Sequence, residues 1–275
     1  MRKLAIPALI IILLFSITIL PSGCAATAEN EFRVGMECGY APFNWTQTDN
    51  SNGAVQIAGT ADFAGGYDIE IAKQIAAGLG KKLVIVKTAW DGLSPAVQSG
   101  TIDAIVAGMS PTADRKQTID FTANYYRSEL VIVVKAGGDY ENATSLADFS
   151  GANVTAQLST FHYSVIDQIA GVNKQTAMDD FPAMRVALES GMIDGYVSER
   201  PEGVSAKAAN SNFAMVEFAA GQGFEATDDD VAIAVGIKKG QSELIAKIDA
   251  ILAGITEEQR IKLMDDAIKN QPASN

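Results

Sequence analysis

The chain has 275 residues and a formal net charge of −12, and 48% of its residues are hydrophobic. This length suits one two-lobed protein or two modest domains. The acidic balance disfavours binding to nucleic acid and to anionic lipid headgroups. The only histidine, His162, and the two cysteines do not supply the usual Cys/His zinc spacings, and we expect neither a metal nor a cofactor.

The first 23 residues have the pattern of a secretory signal. A basic start leads into an almost wholly apolar run up to Leu20, and Pro21-Ser22-Gly23-Cys24 follows. The segment resembles a bacterial lipoprotein signal peptide, in which Cys24 becomes the acylated first residue, although Pro21 stands where Leu is usual. Cleavage at another small residue and retention as a transmembrane anchor are the alternatives. We therefore expect a signal at 1–23, a tether at 24–31 and a protein anchored by lipid to the outer face of the cell membrane.

Hydrophobic patterning predicts alternating strands and helices after the tether. The predicted strands are 32–36, 83–86, 104–107, 130–134 and 231–235, and the predicted helices are 67–79, 93–98, 162–170, 182–189 and 242–269, the last with a break near 254–256. Residues 46–64 are rich in Asn, Gly, Thr and Asp and are predicted to form a surface excursion.

Two of the predicted strands, 130–134 and 231–235, are continuous apolar runs that could carry the chain from one lobe to the other. Two crossings make the first lobe discontinuous. We predict a first lobe of residues 32–130 plus 231–275 and a second lobe of residues 131–230. A protein of this kind hinges at the two crossings and closes over a ligand.

One motif occurs twice, at 96–108 and at 187–199, with a constant offset of 91 residues. Each copy has a helix end, a Ser-Gly stop, Ile-Asp and a short apolar strand, and Gly just past a helix is an expected cap. Chance similarity between two helix–strand turns is the alternative. Because ligands of open α/β sheets bind outside the carboxyl ends of strands, both copies should deliver the residues at their ends to one cleft.

Five further motifs occur in order along nearly the whole mature chain and together resemble the family 3 solute-binding proteins of ABC importers for polar amino acids. They are Gly-Tyr-Ala-Pro-Phe at 39–43, Gly-Gly-Tyr-Asp-Ile-Glu-Ile-Ala at 65–72, Trp-Asp-Gly-Leu at 90–93, Gly-Met-Ser-Pro-Thr-Ala-Asp-Arg at 108–115 and Ile-Asp-Phe-Thr followed by Tyr-Tyr at 119–126. The resemblance implies an α/β fold of the two-lobed, type II periplasmic-binding-protein kind, with two hinge strands and the ligand between the lobes.

The resemblance also implies how the zwitterionic part of an L-amino acid is held. Arg115 matches the arginine that grips the α-carboxylate, and guanidinium suits a carboxylate because it is permanently charged and bidentate. Gly108 and Ser110 are expected to reach the same carboxylate. Glu199 stands where the family often has Asp and is expected to bind the α-ammonium. Thr160 is expected to be a further carboxylate contact, in a turn that departs from the family pattern. His162 in the same turn is left open between a contact to the ligand side chain and a capping or surface role.

The side chain of the ligand is expected to lie between aromatic walls. Tyr40 and Trp90 match the family's aromatic positions, and flat rings bury apolar area and attract cations. Glu37 lies where the basic-amino-acid binders of the family often have Asp, which favours arginine, lysine or a similar ligand. A glutamine-type amide donor would also fit there.

The function implied is non-enzymatic. The protein is expected to act as a monomer, to bind one L-amino acid by lobe closure, and to deliver it to an ABC permease with its ATPase. Two alternatives stay open: a cyclohexadienyl dehydratase-like enzyme on the same fold, and a sensor module for a separate signalling partner. The sequence offers no nucleophile–base pair, phosphate loop or metal set for an enzyme.

Overall fold

The computed structural model describes residues 30–272. The predicted signal segment at 1–23, the acylation site Cys24 and most of the tether lie outside the described residues. Within the described part of the chain, no helix is both long enough and apolar enough to cross a membrane.

The first of two five-stranded sheets contains both the amino-terminal strand and a late strand of the chain. Its strands are β1 (Glu31–Met36), β6 (Lys82–Lys87), β7 (Ala104–Ile105), β8 (Ile119–Arg127) and β14 (Ala232–Lys238), in the order β6-β1-β7-β14-β8. β1 pairs in parallel with β6 and β7, whereas β14 is antiparallel to β7 and β8. The helices of this part are α1 (Tyr67–Gly78), α2 (Trp90–Ser99), α6 (Ser242–Ala253) and α7 (Glu257–Asn270).

The second five-stranded sheet is formed by the middle of the chain. Its strands are β9 (Leu130–Lys135), β10 (Asn153–Thr155), β11 (Asn173–Lys174), β12 (Gly195–Glu199) and β13 (Phe213–Val216), in the order β11-β10-β12-β9-β13. Its helices are α3 (Phe161–Val165), α4 (Phe181–Ser190) and α5 (Arg200–Ala209). The two sheets and their helices make the two-lobed α/β fold that the sequence predicts.

The chain passes between the sheets at two adjacent points. Residues 128 and 129 join β8 to β9, and the chain returns just before β14. The backbone N–H of Ser128 donates to the carbonyl of Val231 at 2.9 Å, so the two crossings lie side by side. The two apolar strands are predicted to make the crossings themselves. In the structure, each crossing lies immediately before one of these strands. The numbered lobe boundaries stay a prediction.

The duplicated motif has the same structural role in both lobes. α2 and α4 end at Gly100 and Gly191, whose φ angles are 79° and 78°, a left-handed conformation that suits glycine. The Asp that follows in each copy anchors the neighbouring strand, because its carboxylate accepts a backbone N–H from Arg33 or Asn153 at 2.7 and 2.8 Å. The repeat thus specifies a helix stop and a strand anchor twice.

The prediction of a surface excursion at 46–64 was wrong in part. A small antiparallel sheet, in the order β2-β3-β5-β4, forms from Gly39–Tyr40, Asn44–Gln47, Phe63–Gly65 and Val55–Gln56. Trp45 and Ala64 in this sheet and Ile57 beside it are buried, whereas Val55 and Phe63 are half-buried. The abundant turn residues around these short strands hide the pattern of buried and exposed residues in the sequence.

Two helix predictions differ in outcome. The predicted helix at 162–170 is a short α3 followed by a 3₁₀ turn, Ile166–Gln168. The predicted break near 254–256 is confirmed: α6 ends at Ala253, and α7 begins after Thr256, which forms a capping box with Gln259.

Candidate functional site

The carboxyl ends of strands from both sheets meet at one small cavity. β1 leads to Glu37, β7 to Gly108, β10 to Gln157, and β12 ends at Glu199. The empty space at this cavity is about 270 Å³, including space that is open to solvent. Its lining comes from both lobes: Tyr40, Trp90, Gly108, Ser110, Arg115, Gln157, Thr160, Phe161, His162 and Phe181.

Arg115 is held at the edge of this cavity by contacts to both lobes. It begins a single 3₁₀ turn and is half-buried. Its Nη1 donates to the carbonyl of Ser110 at 2.9 Å, its Nη2 donates to the carbonyl of Ser159 at 3.3 Å, and its Cζ lies 5.0 Å from the ring centre of Trp90. Burial lowers the pKa of Arg115 to about 10, so the guanidinium stays charged at neutral pH.

Glu199 is the buried carboxyl group of the site. The end of β12 carries it, and it is 1% exposed. Its Oε2 accepts a hydrogen bond from the Tyr40 hydroxyl at 2.8 Å, while its Oε1 has no hydrogen-bond partner among the described residues. Burial raises the pKa of Glu199 to about 8. A cation placed at Oε1 would favour the charged form of this group.

His162 faces Glu199 from α3. The ring is buried, and its Nε2 lies 3.8 Å from Oε1 of Glu199. Neither ring nitrogen has a hydrogen-bond partner among the described residues. Burial lowers the pKa of His162 to about 3, and the charge of Arg115 acts in the same direction. The ring is therefore neutral at physiological pH.

Tyr40 joins the two lobes through its ring as well as its hydroxyl. The ring stacks on Phe43 with centroids 4.9 Å apart and on Phe181 with centroids 4.3 Å apart. Gly108 makes this position possible, because its φ is 62° and a Cβ there would lie 2.6 Å from the Tyr40 ring. Any larger residue at 108 would displace Tyr40 from the cavity.

Glu37 lies beside the cavity rather than in its lining. Its Oε1 accepts a hydrogen bond from Nε2 of Gln157 at 2.9 Å. The pKa of Glu37 is raised to about 7, chiefly because the group is buried. The Gln157 hydrogen bond opposes the rise, and the nearby carboxylates of Asp180 and Asp91 contribute to it. A cation at this position would reduce the repulsion between the carboxylates of Glu37, Asp91 and Asp180.

The structure brings the eight predicted ligand residues together. Six of them line the cavity: Tyr40, Trp90, Gly108, Ser110, Arg115 and Thr160. The other two adjoin it, since Glu199 bonds to Tyr40 and Glu37 bonds to Gln157. Their individual ligand contacts stay predictions. Two of them already have partners in the protein, because the Gly108 N–H donates to the Tyr125 hydroxyl and the Thr160 hydroxyl donates to the Gln157 carbonyl.

Sequence reasoning missed Gln157, Phe161 and Phe181, and left His162 open between a ligand contact and a surface role. Phe181 could have been found from the repeat. It begins α4 as Trp90 begins α2, and the two positions are separated by the same 91 residues as the two motif copies. Gln157 and Phe161 lie in the turn that departs from the family pattern and had no comparable signal.

The part of the chain that the structure describes holds no group of three or more His, Cys, Asp or Glu residues placed to bind a metal ion. The chemistry that the described site can offer is therefore that of charged and aromatic side chains. It has one guanidinium, two carboxyl groups with raised pKa values and several aromatic rings.

Comparisons with known proteins agree with this geometry. Residues 32–267 match the family model of the bacterial extracellular solute-binding proteins, family 3. A probable histidine-binding protein of Campylobacter jejuni is 28% identical over 86% of this chain and 83% of its own length. The ABC transporter glutamine-binding protein of Bacillus subtilis is 31% identical over 76% of this chain and 74% of its own.

A solved structure gives the same result. An amino acid ABC transporter substrate-binding protein from Streptococcus pneumoniae, bound to L-arginine, superimposes with a TM-score of 0.78. It is 26% identical to this chain, and the match covers 89% of this chain and 96% of that one. Because the family model spans most of the chain and both lobes match, this chain belongs to family 3 of the bacterial extracellular solute-binding proteins, among the substrate-binding proteins of amino-acid ABC transporters.

Proposed function

We propose that this protein binds a polar L-amino acid between its lobes, outside the cytoplasm, and delivers it to an ABC permease. One observation carries the proposal: two complementary groups from different lobes meet at the small cavity. The charged guanidinium of Arg115 lines it, and Glu199 adjoins it with its Oε1 free of a hydrogen-bond partner among the described residues. An α-amino acid carries the two complementary charges on one carbon. It would therefore link the two lobes through its own backbone and favour the closed form.

The groups around the cavity support this assignment. Arg115 already has hydrogen bonds to Ser110 and Ser159 carbonyls, which fix the plane of its guanidinium. An α-carboxylate would add charge-assisted bonds to the remaining donors, with the Ser110 hydroxyl beside them. The α-ammonium would donate to Oε1 of Glu199, whose other oxygen the Tyr40 hydroxyl holds.

The side chain of the ligand would extend toward Glu37. The aromatic residues Trp90, Phe161 and Phe181 line the cavity and suit an aliphatic stem. The raised pKa of Glu37 and the neighbouring Asp91 and Asp180 favour a cationic end group, as in arginine or lysine. The relatives bind different amino acids by name, and glutamine stays an alternative.

We infer binding rather than catalysis. The similar proteins are named for the amino acids they bind. The only histidine of the chain, His162, has its pKa lowered to about 3 by burial, which makes it a poor general base near neutral pH. Neither the dehydratase-like alternative nor the sensor module gains support from a feature of the described residues.

Isothermal titration calorimetry of the purified protein against the twenty amino acids tests the proposal directly. We expect one polar amino acid, or a small group of them, to bind with a Kd well below 1 mM. Its binding free energy should therefore be more favourable than about −4 kcal/mol. The D-enantiomer is the control and should bind far more weakly, because it cannot present all three groups at once. Binding weaker than millimolar for every amino acid would reject the function.

Binding should strengthen as the pH rises from 6 to 8. The pKa of Glu199 is about 8 in the free protein because the group is buried, and an ammonium in contact would lower it. Ligand binding below pH 8 therefore releases a proton, and affinity should rise by up to about tenfold per pH unit until the free pKa is reached. The Glu199→Gln variant should bind at least tenfold more weakly at pH 8. Its affinity should also lose the part of the pH dependence that comes from Glu199. An affinity of the parent protein that is constant over this range would contradict the assigned role of Glu199.

The Glu37→Gln substitution tests the cationic side chain. It removes the charge but keeps the shape and the contact to Gln157, so arginine or lysine affinity should fall at least tenfold. Glutamine affinity should change little. The matched control is Glu243→Gln, which removes an exposed carboxylate in the first turn of α6, outside the cavity lining, and should leave arginine and lysine affinity unchanged. Unchanged arginine and lysine affinity in the Glu37→Gln variant would remove the reason for expecting a basic ligand.

We also propose that residues 1–23 direct export and that Cys24 is acylated, leaving the mature protein tethered to the membrane. The support is the sequence of the signal segment alone. Cys24→Ser should move the protein from the membrane fraction to the soluble extracytoplasmic fraction, as fractionation and immunoblotting would show. A protein that stays in the membrane fraction after this substitution is held there by something other than the lipid.

A further inference from the structure

His162 is the least expected group in the cavity. It exposes 6% of its surface, lines the cavity and faces Glu199, which exposes 1%. Both ring nitrogens lack a hydrogen-bond partner among the described residues, as does Oε1 of Glu199. Buried polar groups are normally hydrogen-bonded, and leaving one unpaired is destabilising. Two of these atoms, Nε2 of His162 and Oε1 of Glu199, lie close to each other, so that a single partner could bond to both.

The distance between these groups indicates what the partner is. Nε2 of His162 and Oε1 of Glu199 are 3.8 Å apart, too far for a hydrogen bond to each other. A single nitrogen atom can lie about 2.9 Å from both, and an ammonium has three N–H groups to donate. A neutral imidazole keeps one lone pair in either tautomer, so it can accept such a bond.

We propose that His162 accepts a hydrogen bond from the α-ammonium of the ligand, and that Glu199 and His162 together form a two-acceptor ammonium site. The proposal rests on the function proposed above and goes beyond it by assigning a second residue to the ammonium. His162 then contributes to selection for a free α-amino group. Its role as an acceptor requires a neutral ring, which burial and the charge of Arg115 maintain.

The surroundings of the pair favour an ammonium over an anion at this point. Besides Glu199, the carboxyl groups of Asp68 and Glu202 act on this position through their charge, and the Tyr40 hydroxyl donates to Glu199. Arg115 is the charged cation acting on both His162 and Glu199, and the ligand carboxylate would neutralise it. A second carboxylate beside Glu199 would instead add like charge in a buried position.

The test compares two substitutions at His162. Phe keeps an aromatic ring and removes the acceptor, whereas Gln removes the ring and keeps an acceptor oxygen at a distance from the backbone similar to that of Nε2. L-Arginine, L-histidine and L-glutamine serve as probes, each paired with the analogue that has hydrogen in place of the α-amino group. Circular dichroism and the thermal midpoint show that each variant is folded.

For the probe that binds most tightly, we expect His162→Phe to weaken amino-acid binding at least tenfold and to leave binding of the deaminated analogue within about twofold. His162→Gln should bind more tightly than His162→Phe, because it recovers part of the lost affinity. The matched control is Phe161→Leu, which alters a neighbouring ring of the same cavity and should affect the amino acid and its analogue alike.

Two results would overturn the inference. Equal loss for the amino acid and its analogue in the His162→Phe variant would mean that the ring only shapes the cavity. Unchanged amino-acid affinity would mean that His162 is not in contact with the ammonium. If the analogue binds too weakly to measure, equal loss in the Phe and Gln variants has the same consequence. Failure of the parent protein to bind any probe would instead reject the proposed function.

Discussion

The burial of Glu199 opposite a charged arginine is the constraint on which the site depends. A carboxyl group in a buried position without a cationic partner is costly in its ionised form, and its pKa rises accordingly. The ligand-free cleft therefore contains groups that are incompletely satisfied when the lobes are together. In the proposed function, a zwitterion would supply an ammonium to Glu199 and a carboxylate to Arg115. Ligand binding and lobe closure would then be linked, because the two groups belong to different lobes.

The two lobes reach this arrangement by repeating one local design. Each copy of the duplicated motif stops a helix at a left-handed glycine and anchors a strand through an aspartate. The copies then diverge at their ends, in Gly108 and Glu199. The glycine admits the Tyr40 ring, and that ring carries the hydroxyl that bonds to Glu199. In the proposed function, the asymmetry at the ends of two similar units would distinguish the side of the cleft that holds the ligand carboxylate from the side that holds its ammonium.

Much of this could be predicted from the sequence because it depends on short-range signals. The glycine stops, the capping box at Thr256 and the apolar strands follow from local chemistry. The small sheet around Trp45 could not, because its strands are short and separated by turn residues. His162 and Phe161 were missed or left open for another reason. Their role depends on which side chains meet when the two lobes come together, and that meeting has no periodic signature in the chain.

A crystal structure of the protein with its bound amino acid would show directly how the zwitterion is held. We expect the α-carboxylate to lie within hydrogen-bond distance of the Arg115 guanidinium and the α-ammonium to lie within the same distance of Glu199. We also expect one ligand to contact both lobes. A ligand bound with its carboxylate away from Arg115, or with its ammonium in contact with groups other than Glu199, would contradict this expectation.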